Sequence, residues 1–256
     1  MSAELTACAP PAASATDKGV SFMDIRGLTQ FSLLDYPGRL ACVVFCGGCN
    51  FRCGYCQNPY LVLYPETQPS LTPEAILDFL KSRVGKLDGV VISGGEPTIH
   101  RSLPEFMARA KAMGFLVRLD TNGSNPTLVR KAHEAGVLDS LGIDYKAPLA
   151  RYQEVSVCPK ANIAEKVSET IRYAVAHRLN LDVRTTVHRQ LLSPADLAQM
   201  RRELDELGVG GWHLQQFHPV EIIDERLLRE PTYSDAELKA MAASLGPHTR
   251  LRGTRG

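Results

Sequence analysis

Cys49-Asn-Phe-Arg-Cys53-Gly-Tyr-Cys56 follows directly on the apolar run Ala41 to Phe45. Three cysteines within eight residues can face one centre only if a tight loop wraps around it. The number is informative. A structural zinc site is normally closed by four ligands, and ordinary four-iron clusters also take four cysteines. A cluster held by three thiolates leaves one iron free to bind something else. A short β-branched run ending in such a loop is also the start of a fold, because parallel α/β barrels collect their chemistry at the carboxyl ends of their strands.

Working outward, the rest of the chain alternates. Short apolar runs at Ala41–Cys46, Gly89–Ser93, Leu116–Thr121, Leu141–Lys146, Leu181–Val187 and Trp212–His218 are each followed by a helical pattern. This rhythm predicts parallel strands with crossover helices. Helix starts are marked at Thr72-Pro73, leading to an apolar face of Ile76, Leu77, Leu80 and Val84, and at Asn125-Pro126 and Ser193-Pro194. Ser102-Leu-Pro-Glu105 and Ser234-Asp-Ala-Glu237 read as capping boxes. Before the first run, Phe22 to Leu40 carries the turn signal Asp35-Tyr36-Pro37-Gly38 and fits a hairpin or lead-in strand. Six β/α units are too few for a closed eight-stranded barrel. The expectation is an α/β fold, an open partial (β/α)6 barrel.

Composition sets the outer limits. A chain of 256 residues, 44% hydrophobic and 22% charged, has the profile of one globular domain. A formal net charge of +1 gives no reason to expect nucleic acid or an acidic membrane surface, and the apolar runs are far too short to cross a bilayer. Met1 to Val20, rich in Ala, Thr, Ser and Pro, lacks the basic start and apolar core of a secretory signal. It reads as a loose arm, with residues 21–256 as a single domain. Of seven cysteines, four fall between Cys46 and Cys56. That clustering favours a metal site in a reducing compartment over a disulfide framework, which points to the cytoplasm.

Each expected strand ends in polar or small residues: Ser93-Gly94-Gly95-Glu96-Pro97, Asp120-Thr121-Asn122-Gly123, Asp144-Tyr145-Lys146 and Gln215-Gln216-Phe217-His218. The two glycines remove side chains, so a ligand can approach the backbone. Singly these have ordinary explanations: a turn, solvated charges, a structural histidine.

With Tyr55 before its last cysteine, the triplet resembles the signature of the radical S-adenosylmethionine (SAM) enzymes, and Ser93 to Glu96 looks like their GGE motif. The segments Ser32 to Gly38, Cys49 to Pro59, Leu87 to Thr98 and Gly114 to Pro126 resemble the anaerobic ribonucleoside-triphosphate reductase activating proteins. The resemblance implies one [4Fe-4S] cluster on Cys49, Cys53 and Cys56, with SAM chelating the open iron. It implies SAM contacts from Tyr55, Gly94, Gly95 and Glu96, from Asp120 and Thr121, and from Asp144 and Lys146. Val187 would offer backbone to the adenine, and His218 would lie near the nucleoside. A zwitterion in a partly dry pocket calls for one carboxylate and one ammonium at fixed places. The implied reaction is reductive cleavage of SAM and hydrogen abstraction from a glycine of a partner enzyme. It requires no acid–base residue, and electrons would come from flavodoxin or ferredoxin.

Alternatives remain at this point. The partner could be another glycyl radical enzyme, such as pyruvate formate-lyase, or the substrate a small molecule. Cys46 extends the motif to C-x2-C-x3-C-x2-C, and four thiolates could instead close a non-catalytic iron–sulfur or zinc site. Gln57 stands where histidine is frequent in the resembled proteins.

Overall fold

The computed structural model describes residues 23–254, so the arm expected over residues 1–20 lies outside it. One eight-stranded sheet runs in chain order: β1 (Ile25–Ser32), β2 (Ala41–Cys46), β3 (Gly89–Gly94), β4 (Leu116–Thr121), β5 (Ser140–Asp144), β6 (Asn180–Val187), β7 (Trp212–Gln216) and β8 (Thr249–Arg252). β1 is antiparallel to β2, and every later pair is parallel. The outer strands β1 and β8 do not pair, so the sheet is curled but open. All six strands expected from the sequence are present. Two end early: Lys146 lies just beyond β5 and His218 just beyond β7.

Side chains alternate across each strand, and the two faces have different partners. Cys42, Val44 and Cys46 of β2 join Val90, Ile92, Val117, Leu119, Leu141, Ile143, Trp212 and Leu214 in one core against the helices. Ala41 and Val43, with Val91 of β3 and Tyr36, form a second, smaller apolar cluster on the inner face.

The helices are α1 (Pro59–Leu63), α2 (Pro73–Ser82), α3 (Leu103–Ala112), α4 (Pro126–Glu134), α5 (Tyr152–Ser156), α6 (Ile163–Ala176), α7 (Pro194–Glu206) and α8 (Asp235–Ser244). Thr72 caps α2 through the Ala75 N–H at 3.1 Å, and Asn125 caps α4 through Leu128 at 3.2 Å. Ser234 and Glu237 form the expected capping box on α8, and Ser193 with Asp196 forms another on α7.

Two local expectations need correction. Ser102 does not cap α3: its backbone is already helical (φ −82°, ψ 0°), which turns the hydroxyl away, and that hydroxyl is buried without a partner. Val84 is not on the buried face of α2, because the helix stops at Ser82 and leaves Val84 exposed. The edge strand β8 was not anticipated. It is four residues long and half arginine, so it carries neither the length nor the apolarity of a strand signal. Among the described residues no helix is long and apolar enough to cross a membrane.

Candidate active site

The cysteine loop springs from the end of β2 and is pinned on both flanks. Gly47 N–H donates to the Asp24 carbonyl at 2.8 Å, Gly48 N–H to Leu61 at 2.7 Å, and Arg52 N–H to Ser156 at 3.1 Å. Cys49, Cys53 and Cys56 line one cleft of about 550 Å³ at the carboxyl ends of the strands. That volume suits a drug-sized ligand. Cys46 does not line the cleft; it is wholly buried in the helix-facing core.

Among the described residues, no group of three His, Cys, Asp or Glu side chains already converges at metal-ligand distance. The chemistry of the set is nonetheless that of a soft-metal centre. Burial pushes the Cys49 thiol up to about 12 and the Cys53 thiol to about 11, and raises Cys56 as well. Thiolates in such surroundings need a cationic centre to hold them, and three sulfur donors suit an iron–sulfur cluster.

The Gly94-Gly95 pair has a structural purpose within the protein itself. Both residues line the cleft, but what approaches their backbone most closely is the protein itself. Gly95 N–H donates to the Cys46 carbonyl and Glu96 N–H to the Gly48 carbonyl, both at 2.8 Å. A Cβ on Gly95 would stand 1.9 Å from the Gly48 oxygen, and one on Gly94 would stand 2.3 Å from the Cys46 nitrogen. Gly94 also has φ +114°, a region that side chains disfavour. The pair therefore locks the root of the cysteine loop onto β3.

Glu96 continues that lock. It is fully buried, and its carboxylate accepts from Thr98 N–H at 3.0 Å, Thr98 Oγ1 at 2.5 Å, Thr121 Oγ1 at 2.6 Å and Asn122 N–H at 2.7 Å. Glu96 and the Thr121 hydroxyl are thus committed to joining the ends of β3 and β4. Asn122 passes the constraint on, its side-chain amide donating to Asn50 Oδ1 at 2.9 Å inside the cysteine loop.

Below the loop the inner face carries a layer of ion pairs. Asp120 is held by Arg118 and Arg184, each at 2.8 Å. Arg118 also pairs with Asp182 at 2.8 Å, and Arg184 with Asp144 at 2.6 Å. Asp182 further takes His213 at 3.0 Å and Arg252 at 3.3 Å. Burial opposes ionisation of Asp144, but Arg184 and Lys146 overcome it and hold the carboxyl below its usual range. Lys146 is less committed. Its ammonium is 3.6 Å from Asp144 and 5.6 Å from the centre of the Tyr55 ring.

The remaining expected residues divide. His218 lines the cleft, and its carbonyl accepts from Gln57 Nε2 at 2.9 Å, which gives that unusual glutamine a function in tying the cysteine loop to the segment after β7. The side chain of Val187 belongs to the helix-facing core, while its neighbour Thr186 lines the cleft. Sequence reasoning overlooked Arg118, Asp182, Arg184 and Arg252. The signal was there as period-two polarity, with Arg118 and Asp120 on β4 and Asp182, Arg184 and Thr186 on β6.

A cysteine-lined cleft at the strand ends of an open parallel sheet now has a counterpart among known proteins. Residues 43–192 match the model of the Radical SAM superfamily. The chain belongs to the radical SAM superfamily. Across 223 residues it is 30% identical to a Methanocaldococcus jannaschii protein named "Putative glycyl-radical enzyme activating enzyme MJ1227", covering 85% of this chain and 89% of that one. It is also 30% identical over 159 residues to the 7-carboxy-7-deazaguanine synthase of Neisseria meningitidis, covering 62% and 68%. In fold it resembles QueE from Escherichia coli, with a TM-score of 0.52 at 16% identity over 90% and 92% of the two chains. Streptococcus suis SuiB with its precursor peptide SuiA aligns at a TM-score of 0.63 and 12% identity over 81% of this chain, which spans only 47% of SuiB.

Membership implies a [4Fe-4S] cluster and SAM, and the cleft fits both kinds of group. Three sulfur donors share the cleft with an ammonium and with paired carboxylates. When bound, the cluster and SAM supply the electron and the carbon-centred radical. The protein's own part is to fix the loop, set the charges and shape the opening.

Proposed function

We propose that this radical SAM enzyme is a glycyl-radical enzyme activase whose partner is an anaerobic ribonucleoside-triphosphate reductase. The observation that carries the activase reading is the similarity to a relative named "Putative glycyl-radical enzyme activating enzyme MJ1227", which extends over nearly the whole of both chains. The choice of reductase rests on the motif resemblance of Ser32 to Gly38, Cys49 to Pro59, Leu87 to Thr98 and Gly114 to Pro126. The cleft mouth adds physical support. Leu34 lines the cleft, and it and its neighbour Leu33 leave large apolar side chains exposed. Exposed apolar rims suit a macromolecular partner better than a small substrate. Arg118 and Arg184 are already paired with carboxylates on the inner face, so neither is a spare cation for an anionic small molecule.

In this reading Cys49, Cys53 and Cys56 hold the cluster. Asp120, Asp144 and Lys146 order the charged end of SAM, Tyr55 and the Gly94-Gly95 backbone wall it in, and the Val187 backbone and His218 bound the nucleoside. Residues 21–256 act as one domain in the cytoplasm, with flavodoxin or ferredoxin as electron donor.

The test is anaerobic incubation of reconstituted protein with SAM, dithionite and purified reductase. Expected are 5′-deoxyadenosine and a glycyl-radical doublet in the electron paramagnetic resonance spectrum of the reductase. Formation of 5′-deoxyadenosine without that doublet sinks the partner assignment. Absence of both sinks the enzymatic reading.

A further inference from the structure

Ser156 ends α5, and Val157 after it adopts left-handed backbone, φ 48° and ψ 51°. For a β-branched residue this is an outlier costing about 1–3 kcal/mol, held in place by its surroundings. The turn sets Ser156 against the cysteine loop. Its carbonyl accepts the Arg52 N–H at 3.1 Å and the Cys53 thiol at 3.6 Å. Ser156 is wholly buried, yet its hydroxyl has no hydrogen-bond partner. A buried hydroxyl left unpaired costs about 1–3 kcal/mol and calls for an explanation. Two unfavourable features thus fall on adjacent residues, at the point where the chain touches a cysteine.

The three cysteines are also served differently. Cys49 Sγ accepts the Phe51 N–H at 3.4 Å and lies 4.0 Å from the Asn122 amide nitrogen. The Asn58 N–H supports Cys56. Cys53 faces the other way, because it donates its own proton to the Ser156 carbonyl. Ligation replaces the S–H bond by an S–Fe bond, with the proton passing to solvent. The sulfur then carries negative charge beside a carbonyl oxygen that can only repel it. The same residue holds an unused donor.

We propose that Ser156 is a positioning residue for the cluster: once iron is bound, its hydroxyl donates to the Cys53 sulfur in place of the lost thiol bond. Hydrogen bonds to cluster sulfurs stabilise the reduced state and raise the reduction potential. The inference rests on the family's cluster and not on the activase reading, so a wrong partner leaves it intact.

Ser156→Ala tests it with effects of opposite sign in the two forms of the full-length protein. In the metal-free protein the hydroxyl is unpaired, so the variant should be at least as resistant to urea as the parent. In the anaerobically reconstituted protein, the variant should load iron normally but show a lower cluster midpoint potential. Its pulsed electron–nuclear double resonance spectrum should also lose one exchangeable-proton coupling to the reduced cluster. An unchanged potential with the coupling retained overturns the proposal. So does destabilisation of the metal-free variant, since the hydroxyl would then have a structural partner.

Discussion

Replacing Gly95 by alanine separates two reasons for a glycine pair after a strand. If the pair exists only to admit a ligand, the metal-free, ligand-free protein should tolerate a methyl group there. If it exists to admit the cysteine loop, the damage should appear with nothing bound. The added Cβ would stand 1.9 Å from the Gly48 oxygen, where ordinary contacts begin at 3.4 Å, so the backbones must part by more than an ångström. Gly95 is not among the residues of positive φ, so the penalty is steric and not conformational. That separation breaks the bonds from Gly95 N–H to Cys46 and from Glu96 N–H to Gly48, both 2.8 Å. Each is worth about 1 kcal/mol net, and up to about 3 kcal/mol if its groups remain buried and unpaired. The expected loss is therefore about 2–6 kcal/mol against a typical total of about 5–15 kcal/mol. At roughly 2–4 °C per kcal/mol for a domain of this size, the melting temperature should fall by about 10 °C. Calorimetry of the metal-free variant checks this, with iron content after reconstitution as the second readout. A metal-free variant melting with the parent would refute the backbone-approach argument.

Serine at Cys49, Cys53 or Cys56 should each cost most of the bound iron after reconstitution, whereas Cys46→Ala should retain it, because Cys46 is buried outside the cleft; loss of iron from Cys46→Ala would restore the four-thiolate alternative. Lys146→Met should weaken SAM binding at least tenfold in equilibrium titration with iron content unchanged, since Lys146 is the inner-face cation least engaged by protein carboxylates. Arg118→Met leaves Asp120 and Asp182 short of a buried partner and should destabilise the metal-free protein by about 3–5 kcal/mol in urea unfolding. Two buried histidines set an acid limit. His188 sits 3.1 Å from the Leu227 carbonyl and accepts the Gln190 N–H at 3.2 Å, His100 sits 3.0 Å from the Gly47 carbonyl, and burial lowers the pKa of both below 6.5. The unfolded chain then binds more protons, so metal-free stability should be full above pH 6.5 and fall as pH drops through it. A urea midpoint that stays flat from pH 7.5 to about 5.5 would contradict this.

What could be read beforehand was local. A hydroxyl or amide before proline announces a helix start within three residues, and Thr72, Asn125 and Ser193 all do so. Ser102, read as a capping box with Glu105, does precede a helix but does not cap it, because its backbone is already helical where a cap needs non-helical geometry. The six strands and the cysteine loop were legible because periodicity and spacing are short-range properties. The ion-pair layer was not. Arg184 meets Asp120 across 64 residues and Arg252 meets Asp182 across 70, separations that no local pattern encodes. Val187 and Thr186 show what a single position decides. In a strand, neighbours face opposite ways, so the Val187 side chain joins the core and the Thr186 side chain faces the cleft.

The inner face then explains why an open sheet can serve as a rigid site. Its apolar part, Ala41, Val43 and Val91 under Tyr36, lies on β2 and β3 and is held by burial. Its charged part spans β4 to β8 and is held by pairing, with Arg118 and Arg184 each bridging two aspartates. Gly142 on β5 leaves room for this, since a Cβ there would stand 2.3 Å from the Asp120 carboxylate. The two parts meet across the unpaired edge. Arg252 on the last strand reaches Asp182 at 3.3 Å and the Leu34 carbonyl, in the turn after β1, at 2.7 Å. One guanidinium therefore ties the end of the chain to its first turn without closing the hydrogen-bond ladder. The seam remains free of backbone pairing, while the charges beneath the cysteine loop keep fixed positions. Rigidity at the base and access at the rim are compatible because different forces supply them.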